Sequence, residues 1–216
     1  VYYTMDGSTP TRENGSLYTP GTVFEFSHVT VLRARTYDPS GRLQPSEVKT
    51  QSYMMNLYHS FPVVSLVADP DKLWNPATGM LVTGGELIKD KIPFVKLDGS
   101  DPNYRTIGKE PSEGHVEIYE MDGTQLVSQA VDFSLQGQYS LDMPQKSFKI
   151  RAQAAYGEKY FNYPLFEDRP YTFYKGFTLR NSGNDNVWTR VSDVVQTRLI
   201  DEYLDSSSER GRKLRN

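Results

Sequence analysis

The sequence predicts a mainly-β, α+β protein: a small Ig-like antiparallel β-sandwich, then a larger and mainly-sheet α+β unit with one long helix. Three observations carry this. Short β-prone runs separated by turn residues fill the first 54 positions. An Asp122-Gly123 pair sits between two alternating runs, a strong short-range hairpin signal. Only from Val187 to Leu204 does the apolar period lengthen to a helical one. With 15 Tyr and 10 Phe among 216 residues, the chain has the bulky apolar material to bury a core, which excludes disorder over its whole length.

In the first unit, Val1-Tyr2-Tyr3-Thr4 reads as a strand and Asp6-Gly7-Ser8-Thr9-Pro10 as a turn. Thr22–Phe26 is a second strand candidate. The third runs from Val29 to Tyr37, with Leu32 and Ala34 alternating against Arg33 and Arg35 as in a half-buried strand. Asp38-Pro39-Ser40-Gly41 turns the chain into a last strand, Glu47 to Tyr53. The second unit opens near Asn56. Phe61–Ala68 is a nearly continuous apolar run, which predicts a strand buried on both faces. An irregular turn follows at Asp69-Pro70-Asp71 and Leu73-Trp74-Asn75-Pro76. Residues 83–112 are rich in Gly, Pro, Lys and Asp, and read as an insertion or a mobile flap. The expected strands after it are His115–Met121, Gln125–Phe133, Ser147–Ala154 and Phe173–Arg180. In the helix, Trp188, Val191, Val195, Leu199 and Tyr203 form one stripe, with Asn184, Asp185 or Asn186 as its N-cap.

Composition removes several chemistries. The chain has no cysteine, so disulfides, thiolate metal sites and cysteine nucleophiles are excluded. A net charge of −3 argues against a general nucleic-acid binder. No apolar run approaches the roughly 20 residues that span a bilayer. The three histidines, His28, His59 and His115, share no ligand spacing, and neither a Gly-x-Ser-x-Gly elbow nor a His-Glu-x-x-His helix is present. The carboxylate pairs Asp69/Asp71, Asp98/Asp101 and Asp185/Asp193 fit no EF-hand; Asp98 to Asp101 is either a plain surface turn or a calcium loop. The tail cations Arg210, Arg212, Lys213 and Arg215 read as a solvated end or a phosphate patch. The sequence begins at Val1, within a strand pattern and without an initiator Met, and is expected to be a fragment or a processed product.

Two stretches resemble known families. Tyr2-Tyr3-Thr4-Met5-Asp6-Gly7-Ser8-Thr9-Pro10-Thr11, Leu17-Tyr18, Leu32-Arg33-Ala34 and Pro45-Ser46-Glu47-Val48, within residues 1–54, resemble the β-sandwich repeat at the C-terminus of chitobiase and β-hexosaminidase. That resemblance implies a first strand ahead of Val1. Residues 57–204, within a second unit taken as 55–216, resemble the N-terminal half of the spore-coat protein H (CotH) family, whose members include atypical protein kinases. The motifs are Phe61–Leu66, Leu73-Trp74-Asn75-Pro76-x-Thr78-Gly79, Val116–Glu120 with Asp122-Gly123, Pro144–Arg151, Tyr156-Gly157, Tyr163–Phe166 and Leu179-Arg180-Asn181-Ser182-Gly183-Asn184-Asp185.

The second resemblance implies a bacterial secreted or cell-envelope protein, with ATP, Mg²⁺ and a protein substrate as partners of the complete domain. On it, Lys146, Arg180, Asn181 and Asn184 are the candidate nucleotide- or phosphate-binding residues. The residues alone leave each of them a structural reading as well: Lys146 as one of the solvent-face cations of a strand, Arg180 as a partner of Asp185, and Asn181–Asn186 as helix caps. The sequence departs from the family pattern at Leu141, Gln145 and Ser192, where basic residues are usual. The metal-holding and catalytic aspartates are implied beyond Asn216, so the chain by itself is expected to be inactive. The alternative is a non-catalytic surface module that binds glycan or protein through an aromatic row of Tyr2, Tyr3, Tyr18, Trp74, Tyr104 and Trp188.

Overall fold

The computed structural model describes residues 1–56, 59–166, 170–185 and 187–206. The basic tail from Arg210 onward and Asn186 lie outside the described residues. The protein is mainly β, built on two antiparallel sheets. The first has the order β2-β1-β3-β4, from β1 (Tyr2–Thr4), β2 (Ser16–Leu17), β3 (Thr30–Arg35) and β4 (Lys49–Tyr53). The second is a meander in sequence order: β5 (Val63–Val67), β6 (Ser112–Tyr119), β7 (Gln125–Gln136), β8 (Ser147–Ala152) and β9 (Gly176–Leu179).

One face of the first sheet is closed by aromatic rings. Thr22–Phe26 is extended but forms no strand; it lies on the sheet and places Phe24 edge-on to Tyr3 at 4.9 Å and Phe26 stacked on Tyr53 at 4.2 Å. Val23, between them, is 82% exposed. On the other face the alternation of β3 leads to a surprise. Arg33, expected on a solvated face, is 7% exposed, because the second unit packs there. Its guanidinium donates to the carbonyl of Gly7 at 3.1 Å and to the hydroxyls of Thr9 and Thr50 at 3.2 and 3.3 Å. Gly7 sits at φ +83°, so the turn that presents this carbonyl requires a glycine.

The second sheet packs its core on one face. Val116 and Ile118 of β6, Val131, Phe133 and Leu135 of β7, and Ile150 of β8 are buried with Leu141 and Phe161. The hairpin of β6 and β7 turns at Asp122-Gly123, where Glu120 N–H donates to the Thr124 carbonyl at 2.9 Å and Gly123 has φ +87°. Strand β5 is an edge strand and mostly half-buried, where the apolar run predicted burial on both faces. The Asp69 turn leads into a short helix, α1 (Pro70–Trp74), whose first turn Asp69 caps by accepting from Asp71 N–H at 3.1 Å.

Residues 83–112 form a cover for the core. Asn103, 4% exposed, donates to the carbonyls of Ala77 and Gly79 at 2.8 and 3.3 Å, and Tyr104 beside it is buried. Gly108 lies against Leu135. The segment had no periodicity to read because single anchors hold it, with only short 3₁₀ turns between.

The long helix, α2 (Ser192–Ser206), begins later than its apolar stripe predicted. Trp188 and Val191 precede it, and Asp185 folds back to receive Ser192 N–H at 3.0 Å. Trp188, Val191, Val195, Leu199 and Tyr203 are all exposed, the stripe facing solvent.

Candidate functional site

The Pro144–Arg151 and Leu179–Asp185 stretches, some 30 residues apart, meet at one place. Asn181, 3% exposed, joins them. Its side-chain amide donates to the carbonyls of Gln145 at 2.7 Å and Ser140 at 3.3 Å, and its Oδ1 accepts from Ser147 Oγ at 2.9 Å and Gly183 N–H at 3.0 Å. Its backbone N–H donates to Ser147 Oγ at 3.0 Å. Every polar group of this side chain has a partner, so Asn181 fixes the position of its neighbours.

Lys146 lies next to this knot, half-buried. Its Nζ donates to the carbonyls of Leu141 and Met143 at 2.5 and 2.7 Å and stands 4.2 Å from the centre of the Tyr104 ring. Desolvation lowers its pKa, opposed by the nearby charge of Asp142. Asp142 is itself held by Arg105, which donates from Nε at 3.0 Å and from Nη2 at 2.6 Å. Tyr104 beneath the lysine is pushed up to about 12, by burial first and Asp142 second. Lys146 is therefore locked to the loop before β8. It is not on the solvent face of the strand, as its neighbours Lys149 and Arg151 suggested.

Arg180 and Asn184 are exposed. The partner of Arg180 is Asp193, in the first turn of α2, and not Asp185. Asp185 is occupied by Thr189 and Ser192, whose backbone and hydroxyl groups donate to its carboxylate and hold it down to about 2. Sequence reasoning found the acceptor but gave it the wrong donor, because the chain from Thr189 to Ser192 folds back onto Asp185.

The other carboxylate pairs are turn residues. Asp69 receives Thr9 N–H at 2.9 Å as well as Asp71 N–H, and Asp98 receives Ser100 N–H at 2.9 Å. Among the described residues no group of three or more His, Asp or Glu is placed to hold a metal ion. No described helix is long and apolar enough to cross a membrane.

The six aromatics of the alternative reading do not form a row. Tyr2 and Tyr3 point to opposite faces of β1, meeting Tyr37 and Phe24 respectively, and Tyr104 is buried. Trp74 and Trp188 are exposed, at 59% and 81%, on separate elements.

A family model described as Fn3 associated matches residues 1–53, the unit that holds the Asp6-Gly7 turn and strands β1 to β4. No curated protein and no solved structure matches the chain.

Proposed function

We propose that the second unit, residues 55–216, forms the nucleotide-facing part of a CotH-like, atypical protein-kinase-like protein of the bacterial envelope or exterior, with the N-terminal unit as an adhesive or spacer module. The observation that carries this reading is the Asn181 knot. It gathers the two most telling motifs of the resemblance, with their cations, into a single polar locus.

The four candidate residues then divide by what they can reach. Arg180 is held only by an exposed ion pair, worth about 0–1 kcal/mol, so a phosphate can replace Asp193 as its partner at little cost. Asn184 offers an exposed side-chain amide from the same loop. Lys146 contributes a fixed positive charge while its Nζ protons stay with two carbonyls. Asn181 positions the bend. ATP supplies the phosphates in this reading and a protein supplies the acceptor. No group of three or more His, Asp or Glu gathers among the described residues, and no transfer step is assigned to them.

A titration of ADP and Mg²⁺ into the isotope-labelled chain tests the reading. The amides of Lys146, Arg180 and Asn184 should shift together, and Arg180→Ala should weaken binding at least fivefold. Absence of shifts at this locus, or binding that Arg180→Ala leaves intact, rejects it.

A further inference from the structure

Between the two sheets lies a cleft of about 800 Å³, whose lining includes none of the residues of the Asn181 knot. Its walls come from both units: Arg33 and Lys49 from the first sheet, and His115, Gln129, Tyr156 and Glu158 from the second. The two units are fastened to each other at two points. Asp69 receives Thr9 N–H across the junction, and Glu117 receives Ser52 N–H. A ligand entering this space meets walls already set, which lowers the ordering cost of binding.

The chemistry of the walls is uneven. Arg33 and Lys49 stand beside His115: burial first, then these two cations, depress its pKa to about 4, so the ring is neutral at pH 7. The ring accepts from, or donates to, Ser128 Oγ at 3.0 Å. Among the described residues, Lys49 makes no hydrogen bond or ion pair that would neutralise it. The amide nitrogen of Gln129 is buried without any partner, an orphaned donor on the cleft wall. Toward the rim, the carboxylates of Glu113 and Glu158 accept nothing from the described residues. Tyr156, anchored through its hydroxyl to Asp132, is the one aromatic ring in the lining.

An apolar ligand finds little to bury here, and a bare inorganic anion would leave the rim carboxylates facing it. A molecule that fits both regions has one negative group and many hydroxyls. We propose that the inter-sheet cleft binds a short acidic saccharide, its carboxylate directed to Lys49 and His115 and its hydroxyls donating to Glu113 and Glu158. The cleft has room for two or three sugar rings at the usual size of ligand sites. The site is independent of the nucleotide locus, and either one can fail alone.

The test uses the full chain with trigalacturonate as the acidic probe and maltotriose as the neutral control. Trigalacturonate should shift the amides of Lys49, His115 and Gln129 to saturation, and maltotriose should leave them in place. Lys49→Ala, on an exposed strand end, should weaken trigalacturonate at least fivefold without changing the thermal midpoint. Gln129→Leu removes the orphaned donor at similar volume and should weaken binding while the protein stays as stable. No shift in the cleft, equal binding of maltotriose, or undiminished binding by Lys49→Ala would each overturn the proposal.

Discussion

The carboxylate of Glu117 accepts one bifurcated hydrogen bond from the backbone N–H of Ser52, its two oxygens at 3.1 and 3.0 Å. From the same strand, β6, the Tyr119 hydroxyl donates to the Ser52 carbonyl at 3.1 Å. Strand β4 is the edge of the first sheet, and its unpaired N–H and C=O at Ser52 are thus both taken by side chains of the second. An open edge becomes a specific joint between the units.

Glu117 is fully buried, so losing it leaves Ser52 N–H without an acceptor in a dry place. Glu117→Ala should cost about 2 kcal/mol or more, and Glu117→Gln less, because the amide oxygen still accepts. Urea denaturation of the three proteins gives the comparison. A midpoint for Glu117→Ala equal to that of the parent would show that the joint contributes nothing.

Asn181 predicts a different pattern. Asn181→Ala removes the partners of two carbonyls and of Ser147, and should cost about 2–3 kcal/mol. Hydrogen exchange at Gly183, whose N–H loses its acceptor, should quicken more than exchange in the first sheet. Uniform acceleration throughout the chain would point instead to plain global destabilisation.

Arg180→Ala should leave stability within about 0.5 kcal/mol of the parent, since its pair with Asp193 is exposed. This keeps the nucleotide titration interpretable. A large drop in the melting midpoint would mean that the pair anchors α2.

Gly79 is demanded by space. A Cβ there would stand 2.7 Å from Asn75 N, Asn75 O and Leu73 O, all backbone atoms. Gly79→Ala should therefore cost about 1–3 kcal/mol in the manner of an overpacked core, whereas Gly41→Ala, with open space around it but φ +70°, tests conformational strain by itself. Equal stability of Gly79→Ala and the parent would contradict the close approach.

The pH dependence has a definite sign. His115 has a folded pKa near 4, below its ordinary value of 6.5, so the unfolded chain binds the proton first. Its contribution is whole above pH 6.5 and is lost as the pH falls toward 4. The groups responsible are burial, Arg33 and Lys49. Stability measured across this window should fall on acidification, and His115→Gln should flatten the curve. A parent and variant with parallel profiles would exclude His115 as the source.

The elements legible in the sequence were those fixed by local rules. Asp122-Gly123 placed β6 and β7, and the alternation from Ser147 to Ala154 placed β8, which ends at Ala152. Thr22–Phe26 had the right alternation and still forms no strand; its rings pack on a sheet, but no neighbour offers it backbone partners. The reading of Arg33 failed for a related reason. Alternation assigns a residue to a face and does not say what will cover that face. The same gap hid the site. Nothing near Lys146 in sequence announces that Leu141 and Met143 turn their carbonyls onto it, and nothing near Asp185 announces its use by Ser192. The inter-sheet cleft draws on residues from Thr9 to Glu158, a set that exists only after both sheets are in place.

The joint at Ser52 also sets how the two units move. Glu117 and Tyr119 grip a donor and an acceptor of a single residue, so a swivel of a few ångströms releases both at once. With the bond from Thr9 N–H to Asp69, it fastens the units at two separate points. Whatever the N-terminal unit holds is accordingly presented to the second sheet at one fixed bearing.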